Sequence, residues 1–409
     1  MFNGLLVQKS APLLLVDVSH TSHCIAPTGV QRVSRELCLE LCRRGEGVPV
    51  CFDRWQGRWR LLNEAERNHL HAPSSGQSVG RRYQWRASEV VVGLSSRVVP
   101  RLTTNTSLPV ETFEGLLVPE KLESRRPKAV SMIRRRLHGA AVAVLHDLIP
   151  VQFPAFAPRR SAIEFPTYLE TLLGYDGIAA VSDSSKQDLI AYWASRNVKN
   201  PPPIETIPPA AGLSASATEV HASTGTGRPM VLMVATIEGR KNHLAVLEAA
   251  ERLWQQGVEF ELRFVGRLRD AKLRVIERID ALSSINRPIR WLGHIPDAEV
   301  QRQYQACRFS LHPSLYEGYG LPVLESLSCG KPCIVSNRGA LAEVARNGGC
   351  FTVSDSGPEA LAAAIRELLL NESLYHRLVQ ECREREFRSW SQYCDDLIAW
   401  LRSLRQRHR

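Results

Sequence analysis

From residue 230 onward, short apolar runs alternate with helix-like stretches, and this alternation restricts the fold more than any other feature. Met230–Ala235 reads as a buried strand, Asn242–Gln256 as a helix ended by Gly257, and Phe260–Val265 as a strand stopped by Gly266. Asp270–Leu282 is helical, Ile289–Leu292 a strand, Asp297–Ala306 a helix with an acidic start, Phe309–His312 a strand, Pro322–Ser328 a helix closed by Gly330, and Pro332–Ser336 a strand. Strands joined by helices of this length build a parallel sheet covered on both faces. Such sheets bind ligands outside the carboxyl ends of their strands.

The N-terminal half has the same style. Leu13–Val18, Val142–Leu145 and Gly177–Val181 are apolar strands; Gly29 opens a helical stretch through Arg43, and Ser182 and Asp183 are N-cap candidates for a helix through Ala194. Trp55 to Arg136 is irregular, and its elements are not placed. Between the halves, Pro201–Pro203 and Pro208–Pro209 precede a Ser, Thr and Gly-rich stretch at 213–229, which reads as a linker. The division is therefore 1–212, a linker at 213–229, 230–385, and a final helix within 386–409 around Trp390 to Trp400. Two α/β domains joined in this way leave a cleft between the open ends of two sheets.

Composition removes several classes. At 44% hydrophobic and 23% charged, the chain is neither disordered nor fibrous. No apolar run approaches the ~18 residues of a membrane span, and Leu13–Val16 is too short for a signal-peptide core. Ten cysteines without a Cys-x-x-Cys pair read as reduced thiols of a cytoplasmic protein, with no metal site expected. Lys+Arg 52 against Asp+Glu 42 favours an anionic partner. Part of the excess lies in Lys121 to Arg136, with seven basic residues against one acid. That run is either a solvated face or a patch for an anionic membrane surface. Nucleic acid is not expected, because no aromatic residues interleave with the basic run.

The most informative segment is Glu317-Gly-Tyr-Gly-Leu-Pro-Val-Leu-Glu325, which follows a strand and opens a helix. Gly318 and Gly320 permit close backbone approach, and the amides of Tyr319, Gly320 and Leu321 are placed to meet an anion. Glu325, expected in the first helical turn, suits a vicinal diol such as a ribose. A tight turn with a capping glutamate is the plain alternative. Arg240 and Lys241, in Thr236–Asn242 at another strand end of the same sheet, are placed to neutralise a diphosphate. His146-Asp147 follows a strand of the other domain, where His146 can reach a sugar hydroxyl and Asp147 can orient it or cap the next turn. Thr28-Gly29-Val30-Gln31-Arg32 is a strand-to-helix glycine loop.

Together the Glu317–Glu325 spacing, the run at 236–242 and His-Asp-Leu-Ile-Pro at 146–150 resemble the retaining GT-B glycosyltransferases of family 4 (group 1). Thr-Gly-Val-Gln-Arg-Val at 28–33 resembles the bacterial mannosyl- and rhamnosyltransferases that build surface polysaccharides. The resemblance implies an α/β fold with two Rossmann-like domains facing across a cleft. It implies a nucleoside diphosphate sugar as donor, with no cofactor, held by the C-terminal domain. Glu325 would bind the ribose, Arg240 and Lys241 the diphosphate, and Glu317 the hydroxyls of the donor sugar. Gly29 would admit the leaving phosphate, His146 would touch the transferred sugar, and Gly293-His294-Ile295 would frame the base with its backbone. Some members carry an arginine where Thr236 stands here.

The expected enzyme moves a hexose, mannose or rhamnose in type and guanosine-linked by preference, to a glycan or lipid-linked acceptor with retention. The chain has no Asp-x-Asp, which agrees with a metal-independent reaction. The expected location is the cytoplasm, with a peripheral position on the inner face of the cytoplasmic membrane as the further option. A GT-B epimerase or phosphorylase is the alternative chemistry. A non-enzymatic basic membrane-binding protein is the other alternative, and it has no use for Glu317 and Glu325.

Overall fold

The computed structural model describes residues 13–24, 28–53, 57–71, 108–121, 127–210, 227–270 and 274–406. Most of the proposed linker and the start of the basic run after Lys121 lie outside these residues.

Two sheets organise the chain, as two Rossmann-like α/β domains. The first comprises β1 (Leu14–Asp17), β2 (Gly47–Asp53), β3 (Arg58–Leu61), β4 (Gly115–Val118), β5 (Ala141–Leu145), β6 (Gly177–Ala180) and β7 (Ile204–Thr206), in the order β3-β2-β1-β4-β5-β6-β7. The second comprises β8 (Met230–Val234), β9 (Glu261–Val265), β10 (Ile289–Trp291), β11 (Phe309–His312), β12 (Cys333–Ser336) and β13 (Cys350–Val353), in the order β10-β9-β8-β11-β12-β13. β1, β4, β5 and β6 are buried along their whole length, as strands covered on both faces must be. Their side chains divide between two apolar clusters, one on each face.

One strand breaks the parallel rule. β3 runs antiparallel to β2, with Phe52 opposite Trp59. Their rings meet edge to face at 4.9 Å, and Trp59 Nε1 donates to Asp17 Oδ2 at 2.9 Å. The remaining strand pairs are parallel.

In both sheets the strand order reverses direction at one place: between β1 and β4, and between β8 and β11. At each reversal the connecting loops leave in opposite directions and open a crevice at the carboxyl ends. The helix Trp390–Gln406 returns from the second domain to the first. Its Tyr393, Cys394, Leu397 and Leu401 are buried with Val33 and Leu37 of the helix Gly29–Arg43. Trp400 packs over Gly177, where a Cβ would come within 2.5 Å of its ring. Arg402 holds Glu114 through two hydrogen bonds, at 2.8 and 3.0 Å. All ten cysteines are free thiols. No helix among the described residues is long and apolar enough to cross a membrane.

Candidate active site

The two crevices face one another. From the second sheet, β11 ends at His312 and the chain turns through Glu317 into the helix Leu321–Ser328. Gly320 caps that helix with φ +112°, and a Cβ there would meet Leu341 at 2.9 Å. Its conformation and its surroundings both require glycine. The amides of Tyr319, Gly320 and Leu321 donate to no acceptor among the described residues.

Glu317 is buried among cations. Its Oε2 accepts from Arg240 Nη1 at 2.7 Å, and its Oε1 accepts from Lys241 Nζ. His312 Nε2 lies 3.4 Å from Oε1. Burial alone would raise this carboxyl. Lys241 and Arg240 outweigh it and hold Glu317 well below the usual carboxylate range. Arg240 also pairs with Glu238 at 2.6 Å, and Glu238 takes Arg269 at 3.0 Å. The five charged groups sum to +1, and the buried Asp147 carboxyl also acts on Arg240 and offsets that excess when ionised.

Glu325 stands apart from this cluster. It is the fifth residue of its helix and lies in the second turn rather than the first, because the helix begins at Leu321. It is 3% exposed, and its Oε1 accepts from Arg32 Nη1 at 2.6 Å across the cleft. Tyr304 Oη lies 3.4 Å from Oε2. Burial raises the Glu325 carboxyl, and Arg32 opposes that rise.

The first domain contributes the loop after β1 and the end of β5. Gly29 is the first residue of its helix, and a Cβ there would touch only Leu321, at 3.7 Å. The fold therefore leaves space at Gly29 rather than filling it. Thr28 and Gln31 form a capping box, and Gln31 Nε2 lies 2.7 Å from His20 Nδ1. His146 Nε2 lies 2.8 Å from the Pro119 carbonyl, so it carries the proton and leaves Nδ1 as an acceptor. Burial lowers the pKa of His146 and keeps it neutral. Asp147 caps the following turn, with its Oδ1 accepting from Ile149 N at 3.0 Å, and does not orient His146.

The structure thus brings Arg240, Lys241 and Glu317 into one cluster, with Glu325 and Gly29 along the same cleft. Tyr319 has its hydroxyl on the Pro209 carbonyl at 2.8 Å, an anchor to the interdomain connection. Ile295 packs at the edge of the cluster formed by Met230, Leu232 and Val265. Several contributors had no assigned role in the sequence, among them Arg32, His312 and Glu343, as well as Glu238, Arg269 and Tyr304. Arg32 lies three residues after Gly29 and so on the same helix face, which was the available signal. Glu343 accepts from the amides of Asp183 and Ser184 at 2.9 and 2.7 Å, capping a helix of the opposite domain. No sequence signal announces that pairing.

Among the described residues, one further cluster has metal-ligand chemistry. Ligand atoms of His23, Cys51 and Glu66 lie within 4.8 Å of one another. Glu66, however, receives Arg60 twice at 2.7 Å and Asn63 N at 2.9 Å, which commits both oxygens to the protein.

Two facing, mostly parallel sheets with a crevice at each switch point define the GT-B class of fold, and solved structures agree. The HepE protein of Anabaena, described in complex with UDP and glucose, aligns with TM-score 0.64 at 13% identity over 96% of this chain and 100% of that one. Residues 218–385, which span the second sheet and its helices, match the model of glycosyl transferases group 1. The Escherichia coli serotype-specific mannosyltransferase WbdA is 26% identical over 403 residues, covering 94% of this chain and 46% of that protein. A GDP-mannose-dependent α-(1-6)-phosphatidylinositol dimannoside mannosyltransferase of Mycobacterium tuberculosis is 25% identical over 68% of this chain and 75% of its own length. The chain spans about half the length of the WbdA proteins it matches.

Proposed function

We propose that this chain is a retaining, metal-independent glycosyltransferase that moves a mannose-type hexose from a guanosine diphosphate sugar to a glycan or lipid-linked acceptor. One observation carries the reading: Arg240 and Lys241 are held by Glu317 at the mouth of one sheet, opposite the open Gly29 position of the other. A departing diphosphate needs positive charge already fixed in place, and buried cations beside helix-terminal amides supply it. Glu317 keeps those cations positioned while the site is empty. When the donor enters, the diphosphate takes over Arg240 and Lys241, and Glu317 turns to the hydroxyls of the sugar.

In this reading Glu325 accepts the ribose diol, and the Ile295 segment frames the base. The Tyr319, Gly320 and Leu321 amides meet the phosphates, and Gly29 leaves room for the leaving phosphate. His146, neutral with Nδ1 free to accept, takes a sugar hydroxyl. Retention needs no protein nucleophile, since the leaving phosphate guides the acceptor to the same face. The names of the relatives favour mannose and a guanosine donor. The uridine diphosphate of the HepE structure belongs to a protein that shares the fold alone.

The acceptor side includes the expected membrane contact. Arg134 pairs with Asp176, and Arg136 with Glu111 at 2.6 Å, so the basic run is partly neutralised. Arg135 and Met132 are exposed in the same stretch. They are the residues we assign to an anionic leaflet at the inner membrane face, where each basic side chain contributes ~1 kcal/mol.

A panel of guanosine and uridine diphosphate sugars, scored by thermal shift and then by product formation in EDTA, tests the proposal. Mannosylated product from the guanosine donor in EDTA supports it. Donor isomerisation without a glycosidic product favours an epimerase. Absence of any nucleotide-induced shift would end the enzyme reading.

A further inference from the structure

We propose that Arg32 is a positioning residue which holds the Glu325 carboxylate from across the cleft and so makes ribose recognition depend on a closed enzyme. The inference rests on the reading of Glu325 as the diol acceptor and adds a residue of the opposite domain to it.

The geometry is specific. Arg32 lies one turn into the helix that Gly29 begins, and its Nη1 reaches Glu325 Oε1, 293 positions away in the chain, at 2.6 Å. Its side chain keeps 26% exposure, whereas that of Glu325 keeps 4%. One hydrogen bond at Oε1 and a long Tyr304 contact at Oε2 leave lone pairs on both oxygens. A vicinal diol can therefore bind without displacing Arg32.

The charges around Glu325 give Arg32 its importance. Asp297 and Tyr304 face it from the helix Asp297–Ala306, Cys329 stands at the end of its own helix, and Arg32 with Glu36 comes from the helix Gly29–Arg43. Arg32 is the cation that acts on Glu325 itself, while Arg35 faces Glu36 and Lys331 faces Cys329. Against Glu325 the second domain sets a second acid, Asp297, and the weak acid Tyr304. A buried carboxyl in such company favours its protonated form, which cannot accept from both hydroxyls of a diol. Closing the cleft delivers Arg32, which favours the ionised carboxylate against the burial that raises it. Ribose recognition and cleft closure thus depend on the same contact.

The test uses the full chain with R32Q, R32K and E325Q. GDP and its 2′,3′-dideoxy analogue are titrated from pH 5 to 9. Wild type is expected to prefer the ribonucleotide. R32Q should weaken GDP binding about tenfold or more, the loss expected when a charge-assisted hydrogen bond goes, and move the loss of binding at acid pH to higher pH. It should leave the dideoxy analogue unaffected. R32K should restore most of the affinity, because the contact is a single hydrogen bond. In E325Q, adding R32Q should change nothing further. Unchanged GDP affinity and pH profile in R32Q, with E325Q still weak, overturns the inference about Arg32 alone. If wild type does not distinguish the two nucleotides, the ribose role of Glu325 falls, and the inference falls with it.

Discussion

Gly318 of the second domain rests directly on the backbone of His146 in the first: a Cβ on Gly318 would come 2.2 Å from the His146 carbonyl oxygen. The same turn is fixed by Ser182 Oγ, which donates to the Gly318 carbonyl at 2.7 Å. Glycine is needed here for approach between domains, not for its backbone angles, since Gly318 has no positive φ.

Gly318→Ala should therefore fold normally but fail to close. A melting temperature within a few degrees of wild type, with kcat/KM lowered by about 10²-fold, is the expected result, because misplacement of ~1 Å at a reacting centre costs that much. Full activity in this variant would show that the contact is not part of the working state.

Glu325→Gln should weaken donor binding by about 1.5–3 kcal/mol, the contribution of hydrogen bonds to a charged acceptor. The measurement is the dissociation constant of the nucleotide-sugar, with circular dichroism to confirm folding. Unchanged affinity would remove Glu325 from the ribose site.

Lys241→Ala and Arg302→Ala remove the same charge in different places. Lys241 is 7% exposed on Glu317, while Arg302 pairs with Glu299 on an exposed helix face. Loss of one preorganised charge-stabilising group costs about 10²–10³ in kcat, so Lys241→Ala should fall in that range. Arg302→Ala should stay within about twofold. Equal, small effects at saturating donor would argue against the phosphate role.

Glu120 gives a pH signature outside the cluster. It accepts from the amides of His20 and Thr21 at 2.8 and 2.9 Å, yet burial, with Asp17 adding to it, pushes its carboxyl to about 7 from 4.5. The folded state thus binds this proton more tightly than the unfolded chain. Stability from this group is fully present below about 4.5 and is lost as pH rises through about 7. Thermal melts from pH 5 to 8 should show that decline, and Glu120→Gln should flatten it. An unchanged slope in the variant would place the titration elsewhere.

Eight strands were legible as short apolar runs: Phe309–His312 has the same bounds in the chain and in the fold, as does the helix Asp297–Ala306. β2, β7 and β13, which are only partly buried, were not read, nor was β4, which is fully buried but lies within the irregular stretch from Trp55 to Arg136. β3 was not read either, since Arg58–Leu61 buries only Trp59 fully and offers no apolar run. The site divides in the same way. Arg240, Lys241 and Glu317 sit at strand ends, where sequence spacing reports position. Arg32 on Glu325 and Glu343 on Ser184 are contacts between domains, and no local pattern encodes a partner hundreds of residues away. His312 was visible only as a strand terminus, and its side chain under Glu317 required the three-dimensional fold.

The returning helix Trp390–Gln406 has a consequence for how the chain acquires its structure. Tyr393, Leu397 and Leu401 complete a core whose other members begin at Leu14. The first domain cannot close that core until almost four hundred residues have been made. At ~5–20 residues per second, its apolar face waits tens of seconds on the ribosome while the second domain, continuous in sequence, can already fold. Assembly order then runs opposite to chain order, and the domain synthesised first is the last to be finished.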